Sequence, residues 1–137
     1  RDFIGRAFRI VITKGLIVMT KKELKTYLLH YNKIKGDLLK LKDKTIINNK
    51  TFILYPWVYK LPNIINQILD SEDSIIAKNL INESIILGKL DKYVQLNLAI
   101  SESTYYRLKH KIIEKIFNIY IFYQDVSLQE ILNENID

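Results

Sequence analysis

Residues 89–113 have the sequence KLDKYVQLNLAISESTYYRLKHKII, and this stretch decides how the chain is interpreted. Two helices that meet across a very short turn need apolar inward positions, a small residue in the turn and a polar outward face on the second helix. Ala99 is the small residue, and Ser101 is a suitable N-cap for the second helix. The stretch therefore predicts a helix-turn-helix, with its inward positions at Val94, Leu98, Ile100, Tyr105 and Leu108.

The outward face of the second predicted helix is polar and basic. Such a helix can enter the major groove of duplex DNA with its N-terminus first. Arg107 could read a guanine through two hydrogen bonds, while short hydroxyls could contact phosphate oxygens. Lys109 and Lys115, together with Lys111, are expected to neutralise phosphate charge. The candidate DNA-binding residues are Ser101, Ser103, Thr104, Tyr106, Arg107, His110 and Lys111.

A simpler interpretation of the same stretch is a helical hairpin whose second helix happens to be basic. Serine and threonine are common at helix N-termini in general, and scattered lysines usually form a solvated face. Spacing alone does not separate this hypothesis from DNA binding.

The N-terminal half predicts one long basic helix. Thr20 and Glu23 match a capping box, which marks a helix start. The apolar residues that follow recur every three or four positions, so they share one face of a helix over residues 21–43. That face is either core or a coiled-coil seam that joins two chains, and segment 20–43 is a possible oligomerisation element. Its members are Leu24, Tyr27, Tyr31, Ile34, Leu38 and Leu41.

The middle of the chain is expected to connect these two helical parts. Residues 44–61 lose the helical period and are interpreted as a linker, with a possible short β-hairpin or loop at 45–56 because consecutive asparagines tolerate positive φ. Pro62 suits the first turn of a helix over residues 62–70. Ser74 can cap a further helix that reaches about Leu87, where Gly88 is a natural stop. The expected fold is all-α, with a DNA-binding domain at 62–123.

The two ends of the chain are set apart by composition. Residues 1–18 are basic and precede the only methionine, Met19, so they are interpreted as a translated leader or a disordered arm. Residues 124–137 carry four acidic and no basic side chains. This acidic tail contains a second capping-box match, which predicts a short helix.

Composition excludes several classes of function. The chain has 137 residues, a formal net charge of +6 and no cysteine, so thiol chemistry and disulfide scaffolds are absent. With two histidines and no phosphate-binding glycine loop, neither a metal, a cofactor nor an enzymatic activity is expected. No apolar run reaches the roughly 20 residues of a membrane span. The basic balance weakly favours a polyanionic partner.

Residues 100–109, ISESTYYRLK, resemble the recognition helix of phage transcriptional activators of the RinA and ArpU type. Those activators resemble in turn the promoter-reading C-terminal region of sigma factors, so the resemblance implies a sigma-factor-like helix-turn-helix. The resemblance departs from the usual pattern at Ala99, where glycine is common, and at Gln95, where alanine is frequent. It implies an activator of late phage or prophage genes in the cytoplasm of a bacterial host. The partner that the resemblance implies is double-stranded DNA. RNA polymerase, which the acidic tail could contact, and a second copy of the chain, joined through segment 20–43, are further candidate partners.

By the same resemblance, Ser103, Tyr106 and Arg107 would face the bases, and Ser101, Thr104 and Lys111 would contact the DNA backbone. Two other functions remain open. One is a structural DNA-packaging component similar to a small terminase subunit, and the other is a helical module that acts on RNA polymerase without touching DNA.

Overall fold

The computed structural model describes the backbone of residues 19–136 and the side chains of residues 19–122. The predictions for residues 1–18 and for the side chains of the acidic tail lie outside this part. Within it the chain is mostly helical, with one small two-stranded sheet. None of the helices in residues 19–136 combines the length and apolarity needed to cross a bilayer.

The predicted long N-terminal helix is two helices, α1 (Lys21–Leu29) and α2 (Tyr31–Leu39). The capping box is confirmed, because Thr20 Oγ1 accepts from the amide of Glu23 and the Glu23 carboxylate accepts from the amide of Thr20. The single helix over 21–43 is wrong: His30 leaves the helical conformation at φ −109° and ψ 13°.

The break at His30 allows the chain to bury both halves of the apolar stripe within one molecule. Leu24 and Tyr27 before the break, and Ile34 and Leu38 after it, are all buried. Leu41 is instead 79% exposed and adopts a φ of 55°, because the helix has already ended. Most of the stripe therefore belongs to the core of the single chain, without a partner helix.

The possible hairpin is present. Strands β1 (Lys44–Ile47) and β2 (Lys50–Ile53) pair antiparallel across Asn48 and Asn49, whose φ angles are 49° and 64°. Two consecutive positive φ angles match the right-handed twist of a tight hairpin. The linker interpretation of 44–61 is wrong, because this segment continues into α3 (Pro56–Tyr59) and buries apolar side chains in the core: Phe52, Leu54, Trp57 and Val58.

The central helices begin as predicted. Pro62 lies in the first turn of α4 (Leu61–Ser71), and Ser74 Oγ accepts from the amide of Ala77 at the start of α5 (Ile75–Leu80). The chain then continues as a π-helical segment, Ile81–Ile86, in which the wider turn was not predicted. The amide of Leu87 donates to the carbonyl of Asn82, five residues back.

Gly88 ends the π-helical segment with a φ of +68°. Two observations favour glycine at this position. A left-handed backbone is strained for other residues, and a Cβ here would lie 2.4 Å from Cγ of Asn32. The glycine thus lets the connection to the next helix pass closely over α2.

The last two helices are α6 (Asp91–Asn97) and α7 (Glu102–Ile136). The predicted short helix in the tail is not a separate element, since its backbone is the end of α7, and no glycine or proline interrupts this run. One face of α7 packs against the rest of the molecule, and the side chains that it buries are Tyr105, Ile112, Ile113, Ile116 and Tyr120.

Candidate nucleic-acid interface

Helices α6 and α7 meet at a turn formed by residues 98–101, which we call the corner. Ala99 adopts the left-handed conformation, with a φ of 54°, and its amide donates to the carbonyl of Leu96. The side-chain amide of Gln95 spans the turn and donates to the carbonyl of Ile100 at 2.9 Å. Gln95 departs from the resembled pattern, and its side chain thus contributes a hydrogen bond to the corner.

The N-terminus of α7 is capped as predicted. Ser101 Oγ accepts from the amide of Thr104 at 3.2 Å, and the Ser101 carbonyl accepts from the amide of Tyr105. The Ser101 hydroxyl donates to Thr104 Oγ1 at 2.8 Å and lies 3.3 Å from the hydroxyl of Ser103. Ser101 and Ser103 are exposed while Thr104 is half-buried, so two of the three hydroxyls can reach a ligand outside the fold.

The outward face of the first three turns of α7 carries the remaining predicted residues. Tyr106, Arg107, His110 and Lys111 are all exposed, and none of them is in the core. The Tyr106 ring packs edge-on against buried Tyr105, with centroids 5.2 Å apart, which restrains its orientation. Neither the guanidinium of Arg107 nor the ammonium of Lys111 forms an ion pair or hydrogen bond with a described residue.

Two lysines predicted as phosphate contacts have a different role. Lys109 Nζ lies 2.6 Å from Oδ1 of Asp91, and Lys115 Nζ lies 2.9 Å from Oε2 of Glu72. The hydrogen bond from Lys115 is the largest influence on Glu72 and lowers the pKa of its carboxyl. These lysines tie α7 to α6 and to the α4–α5 connection, so their charge is already compensated within the chain.

Asp91 organises the back of the corner, and the sequence interpretation missed it. One carboxylate oxygen, Oδ1, accepts from Tyr105 OH and Lys109 Nζ, both at 2.6 Å, and from Ser84 Oγ at 3.3 Å. Burial raises the pKa of Asp91, but the hydrogen bonds from Lys109 and Tyr105 lower it by more, so it lies below its usual value. Burial and then the bond to Asp91 raise the pKa of Tyr105.

The Asp91 contacts join three elements: the π-helical segment, α6 and α7. The donors are separated from Asp91 by 7, 14 and 18 residues. No motif spacing links positions so far apart, and an aspartate in the first turn of a helix has an ordinary explanation in the helix dipole. The only available signal was Tyr105, an inward position whose hydroxyl needs a hydrogen-bond partner when it is buried.

The comparisons with known proteins give no match: no family model, no curated protein and no solved structure is significantly similar to this chain. Within residues 19–122, no group of three or more His, Asp or Glu side chains comes together in a way that could hold a metal ion. What the face of α7 can bind must therefore follow from its shape and charge.

Proposed function

We propose that this protein is a sequence-specific double-stranded DNA-binding transcriptional regulator that reads the major groove with the start of α7. The observation that carries the proposal is the division of this helix into two faces. Tyr105 is fully buried on one side, whereas Arg107 and Lys111 are exposed and unpaired by any described residue on the other. The corner fixes the direction in which that second face points.

The dimensions and chemistry of this face suit duplex DNA. A major groove about 12 Å wide admits one α-helix, and a guanidinium can donate two hydrogen bonds to the O6 and N7 atoms of guanine. Arg107 lies in the second turn of α7 and is free to make this contact. Exposed Ser101 and Ser103 at the helix N-terminus can donate to phosphate oxygens, where the helix dipole also favours negative charge.

The finer parts of the proposal rest on the resemblance of residues 100–109 to phage activators. By that resemblance the protein is an activator of late phage or prophage genes and acts in the bacterial cytoplasm. RNA polymerase is proposed as a partner of its acidic tail. The protein would also bind DNA as a homodimer. Each of these finer proposals requires that the helix-turn-helix binds DNA.

A matched pair of substitutions distinguishes recognition of a base by Arg107 from attraction of the DNA backbone by the charge of Lys111. Arg107→Ala should cost about 1–3 kcal/mol on the preferred site and relax the preference for one base pair, because a two-hydrogen-bond contact is lost. Lys111→Ala should weaken binding to all duplexes alike and reduce the slope of log K against log salt by about one. Both are measured by fluorescence anisotropy on a site selected from random duplex.

Lys22→Ala is the control, since Lys22 is an exposed lysine on α1 outside the proposed interface. It removes the same charge as Lys111→Ala and should leave affinity nearly unchanged. Equal losses for the Arg107 and Lys111 variants on every sequence would contradict base reading. No binding to any duplex at low salt would contradict the proposal altogether.

A protein-interaction module is the second candidate, and one observation favours it. Tyr93 and Leu96 on the outer side of α6 are 52% and 65% exposed, which gives this helix an apolar outer surface. Exposed apolar surface of this kind marks interaction sites when it is contiguous. The low-salt experiment separates the two candidates, because a pure interaction module would not shift random duplex at all.

A further inference from the structure

A cleft of about 520 Å³ lies between α7 and the first two helices. Tyr106 and His110 of α7 form one wall, and Lys25 and Leu29 of α1 are on the opposite side. Leu90, which precedes α6, closes one end. Two predicted DNA-binding residues, Tyr106 and His110, therefore border this cleft as well.

The apolar part of the cleft lacks a cover. Leu29 is 67% exposed and Leu90 is 79% exposed, although both are large aliphatic residues on its walls. Leu28, Ile85 and Ile113, which lie in the floor, are buried and belong to the core. A cavity of this volume, with an apolar floor and a few polar groups at its edge, is typical of small-molecule sites. An apolar ligand body would remove both leucines from water.

The free charge at the cleft is positive. Lys25 and Lys33 line it, and their ammonium groups form no ion pair or hydrogen bond with a described residue. Lys89 is paired with Glu83. Asp91 is the one carboxylate among the described residues that line the cleft, and it already accepts three hydrogen bonds. An acidic group on a ligand would meet two available ammonium groups without an opposing free carboxylate.

We propose that this cleft binds a small organic acid with an apolar body. The acid group lies between Lys25 and Lys33, and the apolar body covers Leu29 and Leu90. Because Tyr106 and His110 border both the cleft and the proposed DNA interface, the bound acid changes the affinity for DNA. This second part rests on the proposed function, while binding of the acid does not.

The test uses the full chain, labelled with nitrogen-15, and phenylbutyrate as the probe. Phenylbutylamine is the matched control, since it has the same apolar body with the opposite charge. The expected result is a saturable shift of the amide signals of Leu29, Gly88 and Leu90, with the acid bound about tenfold more tightly than the amine. Equal binding of acid and amine, or shifts confined to other parts of the chain, would overturn the proposal.

Two double variants test whether the lysines of the cleft bind the acid more strongly than other exposed lysines do. Lys25→Gln with Lys33→Gln should weaken phenylbutyrate binding about fivefold, because two exposed charge contacts are lost. Lys22→Gln with Lys40→Gln removes the same charge from exposed lysines of the same segment, outside the cleft, and should change the affinity less than about twofold. Similar losses in both double variants would overturn the assignment of the acid group to Lys25 and Lys33.

The coupling to DNA is measured separately. Saturating phenylbutyrate should change the affinity for the selected duplex by about threefold or more in the original chain, and not in the Lys25→Gln, Lys33→Gln variant. Binding of the acid without any DNA binding would contradict the proposed function and leave the cleft as a ligand site. DNA binding with no effect of bound acid would contradict the regulatory part.

Discussion

The two ends of the helical core are held together by different physical means. At the end that carries the β-hairpin, aromatic rings meet edge-on: Tyr27 packs against Phe52 and Trp57, with centroids 5.3 Å and 4.9 Å apart, and Trp57 packs against Tyr120 at 5.8 Å. At the corner, one carboxylate on α6 accepts three hydrogen bonds, one from the π-helical segment and two from α7. The first end depends mainly on burial, although Tyr27 OH and Tyr120 OH also donate to the carbonyls of Ile53 and Trp57. The second end depends mainly on directed polar contacts.

This difference suggests that one end of the core sets the stability of the fold and the other sets the orientation of α7. Burial of apolar area is the larger source of free energy and has no preferred direction. Hydrogen bonds contribute less each, but their distance and angle preferences fix orientation. We therefore expect the hairpin end to set the free energy of unfolding and the corner to set the direction of α7.

The strongest test of this division is Trp57→Ala at the hairpin end. The substitution should lower the free energy of unfolding by about 3–5 kcal/mol, because it removes a buried ring and leaves a cavity. The loss should be near the lower limit, since Trp57 Nε1 is buried without a hydrogen-bond partner among the described residues. Urea denaturation followed by circular dichroism measures it, with Leu39→Ala, at an 87% exposed position, as the control. If Trp57→Ala lowers the free energy of unfolding by less than Asp91→Asn at the corner does, the hairpin end is not the main source of stability.

The corresponding test at the corner is Asp91→Asn. It should lower the free energy of unfolding by about 1–2 kcal/mol, because hydrogen bonds from Lys109 and Tyr105 lose their charged acceptor. Asp70→Asn, at an exposed site on α4, should be nearly neutral. The same urea experiment applies. The positioning role also predicts a loss of DNA affinity larger than the fraction of unfolded chain can explain. If the loss of DNA affinity is no larger than that, the positioning role of Asp91 is wrong.

The acid side of the stability curve gives a third test. The folded pKa of Asp91 is lowered, so its contribution is fully present above the unfolded value, about 3.9, and is lost as pH falls toward and through the folded value. The difference in stability between the original chain and Asp91→Asn should therefore shrink in this range. Urea midpoints measured between neutral pH and about pH 3 follow it. A difference that grew on acidification would contradict the lowered pKa.

The smallest expected effect has the opposite sign. Ala99→Gly should raise the free energy of unfolding by about 0.5 kcal/mol, because relief of the left-handed strain slightly exceeds the greater entropy that glycine adds to the unfolded chain. Thermal denaturation in the Asp91→Asn background gives the most sensitive measurement. Destabilisation by glycine would show that the methyl group of Ala99 contributes to packing at the corner.

The features predicted from the sequence are those whose signals are local. Thr20 and Glu23 lie three residues apart, the asparagine pair forms its own turn, and Gly88 and Ala99 each adopt a positive φ where a stop or a tight turn was expected. The exposed face of the candidate site also follows from helical periodicity, since Tyr105 is inward and Arg107 outward. Each of these depends on residues within about one turn of one another.

The features that were missed depend on contacts between distant parts of the chain. The break at His30 follows from burying two halves of a stripe around one core, and the π-helical turn coincides with Ser84 reaching Asp91. Lys115 could be assigned to Glu72 only once α7 and the α4–α5 connection were adjacent. A single sequence gives no signal for such pairs, so lysines with internal partners looked the same as free ones.

The position of the single tryptophan gives the molecule an internal optical reporter. Trp57 is 3% exposed where the hairpin, α1 and α7 converge, whereas the outward face of α7 has tyrosine but no tryptophan. Selective excitation of the indole therefore monitors one end of the core while a titration proceeds at the other. A ligand that leaves the emission wavelength unchanged has acted on the corner without loosening the distant aromatic cluster.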